Sequence, residues 1–428
     1  MRKEGSMELL ISNLAKLGAN NKIKLNGITV VSGDNNTGKS TVGKALWAMF
    51  TAFSNLAQRV NSLRENRYKR LFTDFAEQTN NDGFTPSIFD FCTHLVDGTV
   101  KIEDVSNFLI QLSDNRLSES DLAIWCERFK SVYELTNEQL ERQVVLNTIS
   151  SVFNGQCASF VNPGTLPKID LVVKQKHLTV ELTEDLPICT QEIKLQNASY
   201  YIDNPNAVTD LADRRLRFYR ALNISSSLVS KIYRKFMGAL SDENAVDDLL
   251  ISNKFKVVES ILRKLMGGTL RFTANEGFMF VDDAFPDKPL KLENLSQGVK
   301  SMVFLQAAFM KGAISDGDVV ILDEPEIHLH PKWQIKYAEF IVLLQKAFNL
   351  TVVLTSHSPD FIQAIRLYAK KHDCYDKLDA YFSNVDEKGV ASFVHVDNDD
   401  WDSVFSRFAS GVDTLVQLQS ELDSDECY

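Results

Sequence analysis

The 428-residue sequence has no apolar run as long as the roughly eighteen residues that a membrane-spanning helix needs. Its opening residues, MRKEGSMELL, also lack the apolar core of a signal peptide, so we expect a cytoplasmic protein without membrane contact. The six cysteines are scattered without any C-x-x-C pair, which indicates neither a zinc site nor a disulfide framework. The sequence contains no internal repeat and no long heptad run, so an extended coiled coil is not expected.

Negative charge exceeds positive charge: 57 Asp and Glu against 46 Lys and Arg give a formal net charge of -11. This balance argues against a surface that is broadly coated for nucleic acid. Two stretches, Arg59–Leu71 and Arg214–Arg220, nevertheless concentrate Arg and Lys between aromatic residues. For each stretch, a solvated helix face and a phosphate-contacting surface are both open interpretations. In the first stretch the candidate phosphate contacts are Arg59, Arg64, Arg67, Lys69 and Arg70.

The sequence does contain a glycine-bounded polar loop between a short apolar strand and an amphipathic helix. Residues Gly33–Ser40 read GDNNTGKS and match G-x-x-x-x-G-K-[ST], in which successive backbone N–H groups surround a phosphate. We predict that Lys39 reaches the β- and γ-phosphates of a nucleoside triphosphate and that Ser40 supplies its hydroxyl to Mg²⁺. The alternative is an ordinary turn between a strand and a helix.

Two further buried strands are predicted in the last third of the chain, in DVVILD (318–323) and LTVVLTS (350–356). A predicted helix separates them, and this order is typical of a parallel crossover whose ligands bind beyond the carboxyl ends of the strands. Polar residues follow both strands at that edge. We expect Asp323 to hold Mg²⁺ through water, Glu324 to orient or deprotonate the attacking water, and His357 to sense the γ-phosphate.

Two other groups contain residue types that bind metals, but each has a simpler structural interpretation. His328 and His330 alternate in EIHLHP without a third ligand in view, so loop structure is favoured over a metal pair. The run DNDDWD at 397–402 is interpreted as solvated or capping acids.

Four motifs, GDNNTGKS, LENLSQGVKSM, VVILDEPEIHLHP and VVLTSHS, occur in the order of ABC-type ATPase heads. The sequence most resembles the OLD and RecF/SMC-related branch of these ATPases, which is found in many bacterial defence systems. The resemblance covers residues 8–53 and about 267–410 and implies an α/β P-loop NTPase fold. It divides the chain into an N-terminal part of the head (1–53), a largely helical insertion with a β hairpin near 167–185 (54–265), and a C-terminal part of the head (266–428).

The resemblance also implies roles for individual residues. Asp323 and Glu324 correspond to the Walker B pair, His357 to the switch histidine, and EIHLHP to the D-loop. LSQG corresponds to the signature motif, which contacts the γ-phosphate bound by the other protomer, so that two heads sandwich two ATP molecules. The Q-loop glutamine is not identifiable, and Gln78 would be an arbitrary choice. The expected cofactors are ATP and Mg²⁺, and the expected ATP-contacting residues are Gly33, Asn35, Asn36, Thr37, Gly38, Lys39, Ser40, Thr41, Ser296, Gln297 and Gly298.

Only about seventy residues follow His357, fewer than the Toprim domain of OLD nucleases needs, so we expect no nuclease activity in this chain. Three functions remain open. The first is an ATPase subunit of an anti-phage system, resembling PtuA of Septu or the ATPase of PARIS, that dimerises through ATP and controls a separate effector such as a nuclease. The second is a RecF/SMC-like, ATP-dependent DNA clamp. The third is a nucleotide-gated scaffold with negligible turnover.

Overall fold

The computed structural model describes residues 7–79, 86–113, 117–203, 245–273 and 276–397, together with isolated helical positions at 228–236 and 401–417. The basic stretch Arg214–Arg220 lies outside the described residues, and so do residues 398–400 and 402 of the acidic run.

The described strands are β1 (Met7–Ser12), β2 (Asn21–Leu25), β3 (Ile28–Ser32), β4 (Lys168–Val173), β5 (Lys176–Glu181), β6 (Ile188–Gln191), β7 (Ser199–Ile202), β8 (Gly268–Thr273), β9 (Gly277–Asp282), β10 (Leu290–Lys291), β11 (Val319–Asp323), β12 (Thr351–Ser356), β13 (Leu378–Val385) and β14 (Ala391–Val396). The described helices are α1 (Lys39–Phe53), α2 (Leu56–Thr79), α3 (Pro86–Asp97), α4 (Asp104–Leu112), α5 (Glu119–Tyr133), α6 (Asn137–Val152), α7 (Ala245–Met266), α8 (Gln297–Met310), α9 (Pro331–Phe348) and α10 (Pro359–Lys371).

The main sheet has the strand order β14-β13-β3-β12-β11-β7, and its five strands from β13 to β7 are parallel to one another. Alternate residues of β11 enter two different cores: Val320 and Leu322 join the core on one face, and Val319 and Ile321 join the core on the other. The apolar, β-branched sequence of this strand therefore reflects burial on both faces. The predicted crossover β11–α9–β12 and the predicted α/β class are confirmed.

A second sheet, antiparallel and ordered β2-β1-β4-β5-β6, shares an apolar core with α1 and one face of the main sheet. The predicted hairpin near 167–185 is present as β4 and β5. Strands β4 to β7 fall within the range 54–265, yet β4 pairs with β1 and β7 pairs in parallel with β11. This part of the range therefore contributes strands to both sheets, and helices α2–α6, which precede those strands, end at Val152.

Helices α2 to α5 enclose a separate apolar core. Phe72 and Phe129 lie at its centre with their ring centroids 4.6 Å apart, and Trp125 packs edge-on against Phe75. Helix α6 instead packs on α1 and belongs to the core between the two sheets. In the part of the chain that the structure describes, no helix is long and apolar enough to cross a membrane.

Candidate nucleotide-binding site

The polar loop predicted from the sequence connects β3 to α1. Its backbone curves through left-handed conformations at Gly33 (φ 142°), Asn36 (φ 64°) and Gly38 (φ 86°). At Gly33 the absence of a side chain is also a steric requirement, because a Cβ there would lie 1.7 Å from Ser383 Oγ on β13. A curved loop that leads into a helix N-terminus presents backbone N–H groups to an anion.

Lys39, the first residue of α1, is buried beneath this loop with 4% of its surface exposed. Its Nζ donates hydrogen bonds to Gly33 O at 2.9 Å and Asp34 O at 2.6 Å, and lies 3.8 Å from Glu324 Oε1. Burial lowers the pKa of Lys39, and the neighbouring carboxylates of Glu324 and Asp323 oppose that effect. The loop therefore holds a poorly solvated amine where an anionic phosphoryl group would neutralise it.

The other predicted loop residues differ in their exposure. Thr37 is buried and donates its hydroxyl hydrogen to Asp34 O at 2.8 Å, whereas Asn35 and Asn36 are exposed. Thr41 lies in the first turn of α1, and its N–H donates to Gly38 O at 3.1 Å.

The parallel register brings the ends of three strands to one edge of the main sheet. Val31 of β3 pairs with Thr355 of β12, which in turn pairs with Asp323 of β11. Glu324 follows β11 directly, and its Oε1 lies 3.5 Å from Nδ1 of His357 as well as near Lys39. The residues predicted from separate motifs thus meet at a single point.

Asp323 accepts hydrogen bonds from three hydroxyl groups. Ser40 Oγ and Thr355 Oγ1 donate to its Oδ1 at 3.0 and 2.5 Å, and the Tyr201 hydroxyl donates to its Oδ2 at 2.5 Å. Thr355 also accepts the backbone N–H of Glu324 at 3.0 Å, and so supports the left-handed conformation of that residue (φ 49°). Hydroxyl and carboxylate oxygens are the ligands that Mg²⁺ prefers, so Ser40 and Asp323 fit the magnesium ion expected here.

Tyr201 and Asp203 were not predicted from the sequence. They belong to β7 and the position after it, and the pairing of Ile202 with Leu322 sets Asp203 beside Asp323. A cavity of about 300 Å³ opens at this point, lined by Ser40, Asp203, Ser301, Asp323, Glu324 and His328 among others. The available signal was the short aromatic strand SYYI followed directly by an acid, within a stretch that resembled no family.

The predicted signature residues lie at the start of α8. Ser296 is the exposed N-cap, and its Oγ accepts the N–H of Val299 at 3.5 Å. Gln297 begins the helix, and Gly298 packs so closely on the loop after β11 that a Cβ would lie 2.5 Å from Leu329 Cδ2. The signature segment and the predicted D-loop are therefore neighbours.

The two histidines of EIHLHP occupy different environments in that loop. His330 is the N-cap of α9, and its Nδ1 accepts the N–H of Lys332 at 3.3 Å. His328 is exposed and lines the cavity. Across the described residues, no group of three or more His, Cys, Asp or Glu side chains is arranged to hold a metal ion.

The basic residues of α2 divide into two groups. Arg59 is half-buried, and it donates to Thr51 O and Ala52 O at the end of α1 and to Thr148 Oγ1 on α6. Arg64 donates to Leu135 O and Asn137 Oδ1, and Lys69 pairs with Glu65. Arg67 and Arg70 are exposed and line a separate cavity of about 610 Å³. Gln78 is exposed near the end of the same helix, in the lobe built by α2–α5.

Residues 197–362 match the family model described as "AAA domain, putative AbiEii toxin, Type IV TA system". The match covers less than half of the chain and excludes the polar loop of 33–40. It begins two residues before β7 and continues through α8, β11 and β12, so β7 belongs to the segment that the family shares. Taken with the loop geometry, this match confirms the predicted α/β P-loop NTPase fold.

Three solved structures are similar to the chain at low identity. The SMC head domain from Thermotoga maritima is 12% identical with a TM-score of 0.41, over 91% of this chain and 98% of that one. An SmcHead bound to the C-winged helix domain of ScpA is 11% identical with a TM-score of 0.43, over 91% of this chain and 97% of that one. An Smc head with an extended coiled coil, bound to the C-terminal domain of ScpA derived from Pyrococcus furiosus, is 10% identical with a TM-score of 0.44. That similarity covers 94% of this chain and 99% of that one.

Proposed function

We propose that the chain is the ATP-binding and ATP-hydrolysing subunit of a bacterial anti-phage defence system, in which two heads close on ATP and control a separate effector protein. The observation that carries the ATPase assignment is the position of Glu324 Oε1, which lies 3.8 Å from Lys39 Nζ and 3.5 Å from His357 Nδ1. A phosphate-binding amine, a carboxylate and an imidazole are thus assembled where a γ-phosphate would lie.

Each of these groups has a distinct task in the proposed hydrolysis. The N–H groups of the loop and Lys39 bind the phosphates and offset their charge. Glu324 orients the attacking water and accepts its proton, and Thr355 keeps the Glu324 backbone in place through the bond to its N–H. His357 donates a hydrogen bond toward the γ-phosphate. Ser40 and Asp323 would hold Mg²⁺, which neutralises charge that develops on the phosphate oxygens during transfer.

Closure of two heads is supported by the exposed start of α8. Ser296 is the exposed N-cap, and the positive end of the helix dipole lies there, where a helix terminus binds anions. A second copy that presents this terminus would complete the site around the γ-phosphate. The proposed partner is therefore another copy of the chain, in a homodimer or a higher oligomer.

The defence role is supported by the family description, which names an AbiEii toxin and a toxin–antitoxin system. A separate effector, such as a nuclease, is proposed because the motifs identified in the sequence account for nucleotide chemistry alone. Phage plating on cells that carry the gene with its genomic neighbours tests this role. We expect Glu324→Gln to restore plating in those cells, and equal plating with wild type and variant would count against the role.

Light scattering of Glu324→Gln with ATP and Mg²⁺, beside phosphate release by the wild type, tests the ATPase itself. The variant should lose hydrolysis and accumulate as an ATP-dependent dimer, whereas ADP should leave its mass unchanged. Hydrolysis by the variant at the wild-type rate would contradict the assignment of Glu324. Wild-type dimerisation without measurable phosphate release would favour the nucleotide-gated scaffold instead.

In the alternative of an ATP-dependent DNA clamp, fewer residues of the first basic stretch are candidate phosphate contacts than the sequence suggested. Arg59 and Arg64 donate to other parts of the chain, and Lys69 pairs with Glu65 one turn earlier on the same helix, which leaves Arg67 and Arg70 as the exposed basic pair of the first stretch. A clamp predicts that Arg67→Glu with Arg70→Glu weakens duplex binding and reduces its dependence on salt. If duplex binding were unchanged in this variant, Arg67 and Arg70 would not be DNA contacts of a clamp.

A further inference from the structure

Strand β7 directs two polar side chains toward the nucleotide-binding side of the main sheet. Tyr201 and Asp203 are two positions apart, so they project to the same face. That face carries α1: the Tyr201 ring centroid lies 6.3 Å from that of Trp47, and a Cβ at Gly43 would lie 3.2 Å from Tyr201 Cε2. The same helix begins with Lys39 and Ser40; Ser40 shares Asp323 with Tyr201 and lines the same cavity as Asp203.

Tyr201 is buried, and its hydroxyl donates to Asp323 Oδ2 at 2.5 Å. Because Ser40 and Thr355 both bind Oδ1, Tyr201 is the group that fixes the other oxygen of this carboxylate.

Asp203 lies next to Asp323 at the carboxyl edge of the sheet and lines the same cavity as Ser40 and Glu324. Two neighbouring carboxylates repel each other unless a cation lies between or near them. A magnesium ion bound by Ser40 and Asp323 would provide that cation.

We propose that Asp203 is a cation-facing residue of the magnesium–nucleotide site and that Tyr201 positions Asp323 for the same cation. The inference rests on the proposed nucleotide-binding function. Asp203 accepts hydrogen bonds from water in the ion's hydration shell, because Mg²⁺ keeps several waters when only one or two protein oxygens bind it. It does not contact phosphate, since two anionic groups repel each other.

The test measures how Mg²⁺ changes nucleotide affinity, using the fluorescent analogue mant-ATP in EDTA and across a MgCl₂ titration. Asp203→Asn should raise the half-saturating Mg²⁺ concentration by about tenfold, as losses around metal ligands commonly do. Its affinity for mant-ATP in EDTA should be equal to or above that of the wild type, because a negative charge near the phosphates is removed. Tyr201→Phe should raise the Mg²⁺ requirement by about threefold, the size expected for one lost hydrogen bond.

Asp287→Asn, which changes an exposed acid in the loop after β9, is the matched control and should behave as the wild type. Equal thermal melting of all variants establishes that they fold. The inference is overturned if Asp203→Asn has the same half-saturating Mg²⁺ concentration as the wild type. It is also overturned if Asp203→Asn binds mant-ATP more weakly than the wild type in EDTA. If the wild type binds mant-ATP neither in EDTA nor with MgCl₂, the proposed function is overturned as well. The wild-type result therefore distinguishes failure of the proposed function from failure of this inference alone.

Discussion

The Ser356 hydroxyl donates a hydrogen bond to Glu326 Oε1 at 2.5 Å and thereby joins the end of β12 to the loop after β11. A second bridge lies two residues further along, where Ser358 Oγ donates to Gln334 Oε1 at 2.7 Å. Gln334 Nε2 in turn donates to Leu329 O at 3.1 Å in the same loop. His357 lies between the two serines, so its backbone position depends on the loop that packs against Gly298.

Glu326 should make stability depend on pH. It is 1% exposed, its Oε2 has no hydrogen-bond partner among the described residues, and burial raises its pKa. The folded chain therefore holds this proton more tightly than the unfolded chain does. The resulting stabilisation is present below the ordinary pKa of 4.5 and is lost as the pH rises through the raised value.

Glu326→Gln should remove that dependence while keeping an acceptor for Ser356. We expect the melting temperature of the variant, relative to the wild type, to increase as the pH is raised from about 5 to about 8. Differential scanning calorimetry at several pH values measures this difference, with the exposed Glu293→Gln as the control. A difference that stays constant with pH would contradict the prediction.

Thr355 should matter for hydrolysis more than for binding. Thr355→Val preserves the shape of this fully buried side chain but removes the acceptor for Glu324 N–H and the donor to Asp323 Oδ1. We expect phosphate release to fall by about tenfold or more, because Glu324 loses support for its left-handed backbone. The affinity for mant-ATP in EDTA should change by less than about threefold. If phosphate release and mant-ATP affinity fell by equal factors in Thr355→Val, the result would indicate a general loss of structure.

Gly33 should be intolerant of substitution for a reason unrelated to phosphate. In Gly33→Ala the new Cβ would lie 1.7 Å from Ser383 Oγ and 2.8 Å from Ser383 Cβ, at a backbone φ of 142°. We expect a loss of about 3 kcal/mol in the free energy of unfolding, measured with urea.

Ser383→Gly in the same chain should recover part of that loss, because it removes both clashing atoms. The Ser383 hydroxyl has no hydrogen-bond partner among the described residues, so removing it breaks no bond. The backbone strain at position 33 should remain. No recovery in the double variant would show that the steric explanation is incorrect.

The sequence predicted those parts of the site that lie in continuous motifs. Lys39, Glu324 and His357 each follow an apolar strand, and parallel strands end at a common edge, so their meeting could be deduced. Tyr201 and Asp203 could not be found in this way, because β7 has four residues and its partner β11 lies more than a hundred positions away. The contacts of Arg59 could not be predicted either, because the sequence of a basic stretch does not show whether a given arginine faces solvent or the end of another helix.

Arg59 offers a direct test of that distinction. Its guanidinium donates to Thr51 O at 2.7 Å, Ala52 O at 3.0 Å and Thr148 Oγ1 at 2.6 Å, and burial lowers its pKa. Arg59→Met keeps most of the apolar stem but leaves two carbonyl groups at the end of α1 without this donor. We therefore expect the free energy of unfolding to fall by about 2 kcal/mol.

Arg67→Met is the matched control, because Arg67 lies on the same helix and is exposed. It should change the free energy of unfolding by less than about 0.5 kcal/mol, as most surface substitutions do. Urea unfolding of both variants, followed by circular dichroism, measures the difference. If the two substitutions had equal effects, Arg59 would not be a structural residue, and its positive charge would again be available to a nucleic-acid phosphate. If only Arg59→Met destabilises the protein, a DNA-binding surface on α2 must rely on Arg67 and Arg70.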